Sequence, residues 1–366
     1  MLSTSHAVKI AVLGASGYTG GELLRLIAAH PRMELVVATA DKSVGASLAS
    51  LFPSLTSVLP ALTLESVDIE SIVTRADAIF LALPHTKSLA SVAAFLKAGK
   101  HAVDLSADYR LKNAAEYERW YNTAHTHQEL LKEAVYGLPE LYRQDIQKTK
   151  LVASPGCYPT AAILQLAPLI AGGLVDPSSI VIDAKSGVSG AGRSPALAYH
   201  FPEAHESLEA YKIGQHRHIP EIEQELRLLG SRSRQGSKTL SRNDHAIQVM
   251  FTPHLVPMNR GILSTAYCRL YEPMEQAPLR ALYRDFYKGE RFIRFMEGDA
   301  SPNPRHVRGA NFCDLNVFVD KRAGWVVTVA ALDNLIKGAA GQALQAMNLM
   351  LGFPEEMGLT GAGIFP

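Results

Sequence analysis

Residues 8–20 read Val8-Lys9-Ile10-Ala11-Val12-Leu13-Gly14-Ala15-Ser16-Gly17-Tyr18-Thr19-Gly20, and their order decides the fold. The first six make a short apolar run of the kind that lies in a parallel sheet covered on both faces. Three glycines follow at G-x-x-G-x-x-G spacing. Gly21 to Ala29 then reads as a helix, which His30-Pro31 stops. Strand, glycine turn and helix in that order let the backbone approach a pyrophosphate at a helix N-terminus, where free N–H groups and the dipole favour an anion. The spacing departs from G-x-G-x-x-G, so a tight turn without a ligand is the alternative.

Working outward, Glu34 to Thr39 reads as a second strand, and Asp41-Lys42-Ser43 falls where an adenosine ribose is recognised. An acidic side chain there favours a free 2′-hydroxyl, while Lys42 and Ser43 favour a 2′-phosphate and hence NADP. Ala78 to Leu83 and Ala102 to Leu105 are further strands, with a helix between them ending near Lys97. This alternation predicts a doubly wound parallel sheet with ligands at the carboxyl ends of its strands. His85 and Ser106 fall at that edge, as loop caps or as ligand contacts. Arg110, just past the fourth strand, reads as a bidentate anion clamp or as a solvated loop arginine. His125 and His127 read as surface residues.

Leu151-Val152-Ala153 precedes Ser154-Pro155-Gly156-Cys157-Tyr158-Pro159-Thr160 and a helix-like run to Ala171. Cys157 therefore stands where a strand hands over to a helix start, a place that favours the thiolate. Its alternative is a small buried residue at a tight turn. Beyond it, Ile180 to Lys185 is a strand leading into the glycine-serine loop that ends at Arg193, a second candidate clamp or part of a surface linker. His216-Arg217-His218-Ile219-Pro220-Glu221 opens a helix running to about Leu229. A histidine at that place is kept neutral as a general base requires, and Glu221 can orient its ring. Two surface histidines are the alternative, and a metal site lacks further ligands.

Gly230 to Asp244 is serine- and arginine-rich and reads as an exposed connection. Strands at Ala246–Thr252, Ile262–Leu270, Asp314–Val319 and Trp325–Leu332, with a helix near Ala277–Tyr287, predict an α+β domain with a largely antiparallel sheet. Arg260 lies between two of these strands. The segment from Asp333 reads as a helix to Leu351 that packs back onto the first domain.

The 366 residues suggest two domains. The boundaries expected are 1–155 with 334–366 for the dinucleotide-binding domain, and 156–333 for the catalytic and oligomerisation domain. Lys+Arg 36 against Asp+Glu 35 leaves a net charge of +1, which builds no general field for nucleic acid or an anionic membrane. Three cysteines without C-x-x-C spacing argue against a disulfide framework or zinc and for a reducing compartment. With no apolar run near the ~20 residues of a membrane span, a cytoplasmic protein is expected. Residence in an organelle after removal of a transit peptide stays open.

The strings GASGYTG, LALPH, DLSADYRL, VYGLPEL, SPGCYPT, SGVSGAGR, HRHIPEI, TPHLVPMNRGI, RGANFCDL and DNLIKGAAGQA span nearly the whole chain. Together and in this order they resemble the N-acetyl-gamma-glutamyl-phosphate reductases, relatives of aspartate-semialdehyde dehydrogenase. The resemblance implies a Rossmann domain completed by the last helix, an oligomerising α+β domain (homodimer or homotetramer), and NADPH-dependent reduction of a small acyl phosphate to an aldehyde. It implies Cys157 as nucleophile and His218 as acid/base, with His216 the alternative. Gly14, Ser16, Gly17, Tyr18 and Thr19 match its dinucleotide loop, and Asn334 and Gly338 its C-terminal cofactor contact. Arg110, Arg193 and Arg260 are the candidates for phosphate and carboxylate. Two rivals stand beside this reading: action on aspartyl phosphate, and a nucleotide-sensing regulator that keeps its cysteine as a redox switch.

Overall fold

Strands β1 (Val8–Leu13), β2 (Met33–Ala38), β3 (Ala78–Leu81), β4 (His101–Asp104), β5 (Val135–Tyr136) and β6 (Leu151–Ala153) pair in the order β2-β1-β3-β4-β6-β5, every neighbour parallel. This computed structural model describes residues 7–233 and 247–365, and every count of strands or helices refers to those residues. The chain leaves β1 toward β2 on one side and returns to β3 on the other. Beside β1 is therefore the switch point where doubly wound sheets bind ligands. Helices Tyr18–Ala28, Leu89–Lys97 and Gly341–Met350 pack on this sheet or on one another. Ile10, Ala11, Val12 and Leu13 are fully buried, which is why β1 carries an unbroken apolar run instead of an alternating one.

Seven further strands form a second sheet: β7 (Val181–Gly187), β8 (Glu209–Ala210), β9 (Met250–Val256), β10 (Ile262–Arg269), β11 (Ile293–Phe295), β12 (Cys313–Asp320) and β13 (Trp325–Leu332). Their order is β11-β12-β13-β10-β7-β9-β8. The pairs β11/β12 and β7/β9 are parallel and the other four antiparallel. Along β10, Ile262, Ser264, Ala266 and Cys268 are buried while Tyr267 and Arg269 are exposed. That alternation fits a sheet with one covered face. The covering helix, Cys157–Ala171, is buried at every position from Tyr158 to Ile170, and its sequence is accordingly apolar on most faces, with Thr160 and Gln165 the polar exceptions.

By its internal contacts the chain forms two units: residues through Gly156 with Ala339–Gly361, and Cys157–Gly338 with the residues from Ala362. The return to the first unit thus falls at Ala339, later than Asn334, because Asn334 is hydrogen-bonded to Ser189 and Gly261 of the second. The tail from Ala362 groups with the second unit, where the Ile364 N–H donates to the Arg308 carbonyl at 2.7 Å. Helix Gly341–Met350 packs on helix Tyr18–Ala28 and on β4.

Several elements differ from the sequence expectation. The Asp333 segment is not one helix: a π-turn, Ile336–Ala340, precedes Gly341–Met350. The strand expected at Ala246–Thr252 is Met250–Val256, and Ala246 lies outside the described residues. Helix Ile219–Ser233 runs past Leu229 into the supposed connection, whose residues 234–244 also lie outside the described set. The two-residue β5 and β8 and the three-residue β11 are too short to show a period.

Candidate active site

In the first unit, Gly14 has φ +76°, and a Cβ on it would stand 2.4 Å from the Ala82 carbonyl oxygen. Only glycine fits there. A Cβ on Gly20 would stand 2.4 Å from the Gly14 oxygen. Gly17 differs, since a Cβ on it would meet nothing nearer than that oxygen at 3.7 Å. Packing therefore does not demand its smallness. Helix Tyr18–Ala28 has no side-chain cap and no acidic residue in its first turn. Ser16, Gly17 and Thr19 are half-buried around it and Tyr18 is exposed. These residues fit a dinucleotide pyrophosphate held by backbone N–H groups.

Thr39 ties this loop to the end of β2: its carbonyl accepts the Ala15 N–H at 2.8 Å. Asp41 and Lys42 follow in an exposed turn with Ser43 half-buried. His85 takes the capping role, its Nδ1 accepting the Ala107 N–H at 3.0 Å. Arg110 is 4% exposed, hence no solvated loop arginine. Its Nε donates to the Ser154 carbonyl at 2.7 Å and its Nη2 to the Leu105 carbonyl at 2.9 Å. It therefore braces the turn that leads into Cys157. His125 is also buried, contrary to the surface reading. Its Nε2 donates to the Asp108 carbonyl at 2.8 Å, and its ring stands edge-on to Tyr109 and Tyr117. The polar residues around it hid that environment from a sequence-based reading. His127 is half-buried, 3.5 Å from Glu129.

In the second unit, Cys157 is the first residue of helix Cys157–Ala171 and is half-buried, whereas Cys268 and Cys313 are fully buried in strands. Pro159 occupies the first turn, where its missing N–H costs little. Gly338, in the π-turn, presses on the nucleophile candidate: a Cβ there would stand 2.9 Å from the Cys157 Cβ. The neighbouring Tyr158 donates its hydroxyl to the His254 carbonyl at 3.2 Å and accepts one from Tyr211 at 3.2 Å. Burial, and then Tyr211, pushes the Tyr158 phenol far above its ordinary value, and burial pushes Tyr211 up to about 12. Both hydroxyls keep their protons at neutral pH.

His216 and His218 stand together, ring centres 4.6 Å apart, and both meet the Tyr158 ring edge-on, at 5.7 and 6.0 Å. His216 does not point away from this cluster. Its Nδ1 accepts the His218 backbone N–H at 3.2 Å, which places its proton on Nε2. Burial first, then Lys212 and Arg217, lowers its pKa to about 4, so it stays neutral. His218 immediately precedes helix Ile219–Ser233, and Glu221 is buried in that helix's first turn.

Two loops of the second unit are zipped together. Gly187, Val188 and Ser189 donate their N–H groups to the carbonyls of Gly261, Met258 and Asn259 at 2.9–3.1 Å. Asn334 pins both loops, donating to Ser189 Oγ at 3.0 Å and accepting the Gly261 N–H at 2.7 Å. The loops carry exposed Arg193 and half-buried Arg260, the latter 3.7 Å from the buried carboxylate of Asp333. Arg193 and Arg260 thus belong to one loop pair, while Arg110 belongs to the other unit. Tyr211, Ser189 and Asp333 were not singled out by the sequence. Tyr211 gave no signal, whereas Asp333 sits inside the DNLIKGAAGQA string. Among the described residues no three His, Cys, Asp or Glu side chains converge to hold a metal, and no helix is long and apolar enough to cross a membrane.

The two units, one built on a parallel sheet and one on a mixed sheet, match known proteins in sequence and in fold. Residues 9–149 match the family described as semialdehyde dehydrogenase, NAD binding domain, and residues 157–334 match semialdehyde dehydrogenase, dimerisation domain. Aspartate semialdehyde dehydrogenase II from Vibrio cholerae, complexed with ASA, shares the fold with a TM-score of 0.68 at 15% identity, covering 95% of this chain and 99% of that one. The enzyme with NADP from Candida albicans gives 0.68 at 16% identity over 94% and 98%. The class is thus an oxidoreductase of semialdehyde dehydrogenase type. Over 360 residues, 98% of this chain and all of each relative, it is 52% identical to N-acetyl-gamma-glutamyl-phosphate reductase of Geotalea daltonii and 50% identical to that of Geobacter metallireducens. The chain belongs to the N-acetyl-gamma-glutamyl-phosphate reductase family.

Proposed function

We propose that the chain reduces N-acetyl-L-glutamyl 5-phosphate to N-acetyl-L-glutamate 5-semialdehyde and phosphate in arginine biosynthesis, with NADPH as reductant and Cys157 as the covalent nucleophile. The observation that carries the mechanism is Cys157 itself. It alone of three cysteines stands half-exposed at a helix start, beside a tyrosine flanked by two imidazoles. The names of the full-length relatives support the substrate.

Cys157 sulfur attacks the acyl carbon; the C–S bond forms as the C–O bond to phosphate breaks, giving a thioester. His218 holds the thiol proton during attack. Gly14, Ser16, Gly17, Tyr18 and Thr19 would hold a nicotinamide coenzyme, which when bound would supply the hydride; Asn334 and Gly338 are the C-terminal cofactor contacts that the resemblance implies. His218 then returns its proton to the charged oxygen and takes it back as the C–S bond breaks, releasing the aldehyde and the Cys157 thiolate. Glu221 supports the imidazolium. Arg110, Arg193 and Arg260 serve the phosphate and carboxylate, and Lys42 with Ser43 favours the 2′-phosphate of NADP. The match to a dimerisation domain supports a homodimer or homotetramer, and the bacterial relatives support a cytoplasmic setting.

The test is the reverse reaction, with N-acetylglutamate semialdehyde, phosphate and each of NADP and NAD in turn. Phosphate-dependent reduction of NADP is expected. Turnover only with aspartate semialdehyde would shift the reading to that dehydrogenase, and stoichiometric NADPH binding without turnover would favour the regulator.

A further inference from the structure

At the carboxyl edge of the first sheet lies a cluster that the proposed reaction does not use. Asp104, Ser106, Ser88 and Asp108 are each at most 1% exposed. Ser88 Oγ, Ser106 Oγ and Asp104 Oδ2 form a triangle with sides of 2.8, 2.7 and 3.0 Å, and Ser88 Oγ is also 2.8 Å from Asp108 Oδ2. Asp108 further accepts the Thr86 N–H at 2.6 Å, the Ser88 N–H at 3.0 Å and the Tyr117 hydroxyl at 2.9 Å. Asp104 Oδ1 accepts the Ser106 N–H at 3.0 Å.

Hydrogen counting exposes a deficit. Two hydroxyls supply two protons for the four oxygen–oxygen contacts of Ser88 and Ser106 with each other and with the carboxylates. If Ser106 donates to Asp104 and Ser88 to Asp108, no proton lies between Ser88 and Ser106, and none lies between Ser88 and Asp104. A proton on Asp104 Oδ2, donated to Ser88 Oγ, fills the contact between Ser88 and Asp104. It also removes the repulsion of two buried carboxylates linked through one hydroxyl.

The cluster shapes a particular loop. Gly14 of the dinucleotide loop abuts the Ala82 carbonyl, just ahead of Pro84-His85-Thr86. Thr86 is β-branched yet has φ +71°, a conformation that persists only when its surroundings impose it. Asp108 imposes it through the Thr86 and Ser88 N–H groups.

We infer that Asp104 is held as the neutral acid, and that Asp104, Ser106, Ser88 and Asp108 act as one set of positioning residues for the 84–88 loop at the cofactor edge. The inference rests on the dinucleotide reading of this unit. Burial first, then the charge of Asp108, pushes Asp104 up to about 7. Of the other groups facing the cluster, Tyr109 and Tyr117 are pushed far above the usual phenol range, and His125 is lowered by burial. Arg110 donates to the Ser154 and Leu105 carbonyls, and His85 caps Ala107. Leu81 and Ala153, across from Asp104, and the whole of helix Gly341–Met350 carry no ionisable group. Rising pH therefore removes the Asp104 proton, and the loop loses its imposed shape.

The test compares the full chain with Asp104→Asn, whose amide keeps a donor toward Ser88. Because the folded pKa is raised, the stability Asp104 contributes is present below the ordinary carboxyl pKa of about 4 and lost as pH rises through about 7. The ligand-free Tm of the parent should thus fall relative to the variant from about pH 4 to about pH 7 and level off above that. NADPH Kd should weaken several-fold for the parent between about pH 6 and about pH 8.5 and stay flat for the variant, His85 being common to both. A constant Tm difference overturns the neutral acid. An equal pH slope of Kd in both proteins overturns the coupling to the loop. Should the variant not fold, infrared absorption of protonated carboxyl in the parent decides, and no loss of it between about pH 6 and about pH 8 overturns the proposal. Failure of the parent to bind NADPH at any pH sinks the dinucleotide reading and the loop's role with it, while the Tm comparison still decides the state of Asp104.

Discussion

The dinucleotide loop takes its shape from residues 14–20 and the end of β3, whereas the surroundings of Cys157 draw on Tyr158, Tyr211, His216, His218 and Gly338, from four separate stretches of chain. In the loop, backbone does the work: two glycines are fixed by carbonyls of their own unit, and a third is left open. Around Cys157, side chains do it, through hydroxyl and imidazole contacts that a single substitution rearranges. Changes in the loop should therefore read out as cofactor affinity, and changes around the cysteine as turnover. That separation can be broken.

The largest expected effect is Cys157→Ser, which should lower kcat by at least roughly 10^4-fold, the scale of losing a nucleophile. NADPH affinity by fluorescence titration should hardly move. A matching loss of affinity would show that loop and cysteine pocket are one energetic unit. Next, His218→Asn should cost about 10²–10⁴ in kcat, the usual contribution of a positioned acid/base, and His216→Asn less than about tenfold. The opposite order would exchange their roles. His216 also has a stability signature. Its folded pKa lies below that of the unfolded chain, so the unfolded state gains its proton first as pH falls from about 6.5 toward about 4, and stability is lost there. Removing the imidazole should flatten the acid side of the Tm profile. An unchanged profile would mean that His216 titrates normally.

How much of each region was legible follows from the same difference. Val8–Leu13 and the glycine turn could be read because strand, loop and helix are contiguous, and the strand bounds agree with the sequence to the residue. Cys157 could be read because Pro-Gly before it and an apolar helix after it are its own neighbours. Tyr211 could not, because nothing local marks a tyrosine whose partner, Tyr158, lies far away in sequence. Asp104 and Asp108 stood in the DLSADYRL string, but nothing in that string tells that both carboxylates are buried. The surface reading of His125 failed for the same reason: the aromatic box of Tyr109 and Tyr117 forms only in three dimensions.

A smaller effect sharpens the comparison within the loop. Gly14→Ala must place a Cβ against the Ala82 carbonyl at positive φ, and should destabilise the protein by about 1–3 kcal/mol with a lower Tm. Gly17→Ala meets only a 3.7 Å contact, so Tm should hold while NADPH Kd rises about tenfold or more. If both substitutions lower Tm alike, Gly17 serves the fold and the space above it is not a ligand's.

The smallest effect concerns Asp41 and Lys42, two opposite charges side by side in an exposed turn. Exposed charge contacts are weak and screened, so Lys42→Ala should raise the NADPH KM only about two- to fivefold, less at high salt, and leave the NADH KM unchanged. Asp41→Ala should act in the other direction, removing a carboxylate that repels the 2′-phosphate and lowering the NADPH KM. Equal responses of both coenzymes to Lys42→Ala would mean that the lysine serves the general field of the site, and that preference for NADP must come from backbone or from Ser43. The outcome bears on the opening contrast as well. A coenzyme choice made by two exposed side chains would set that one task apart from the rest of the dinucleotide loop, whose shape is set by backbone contacts.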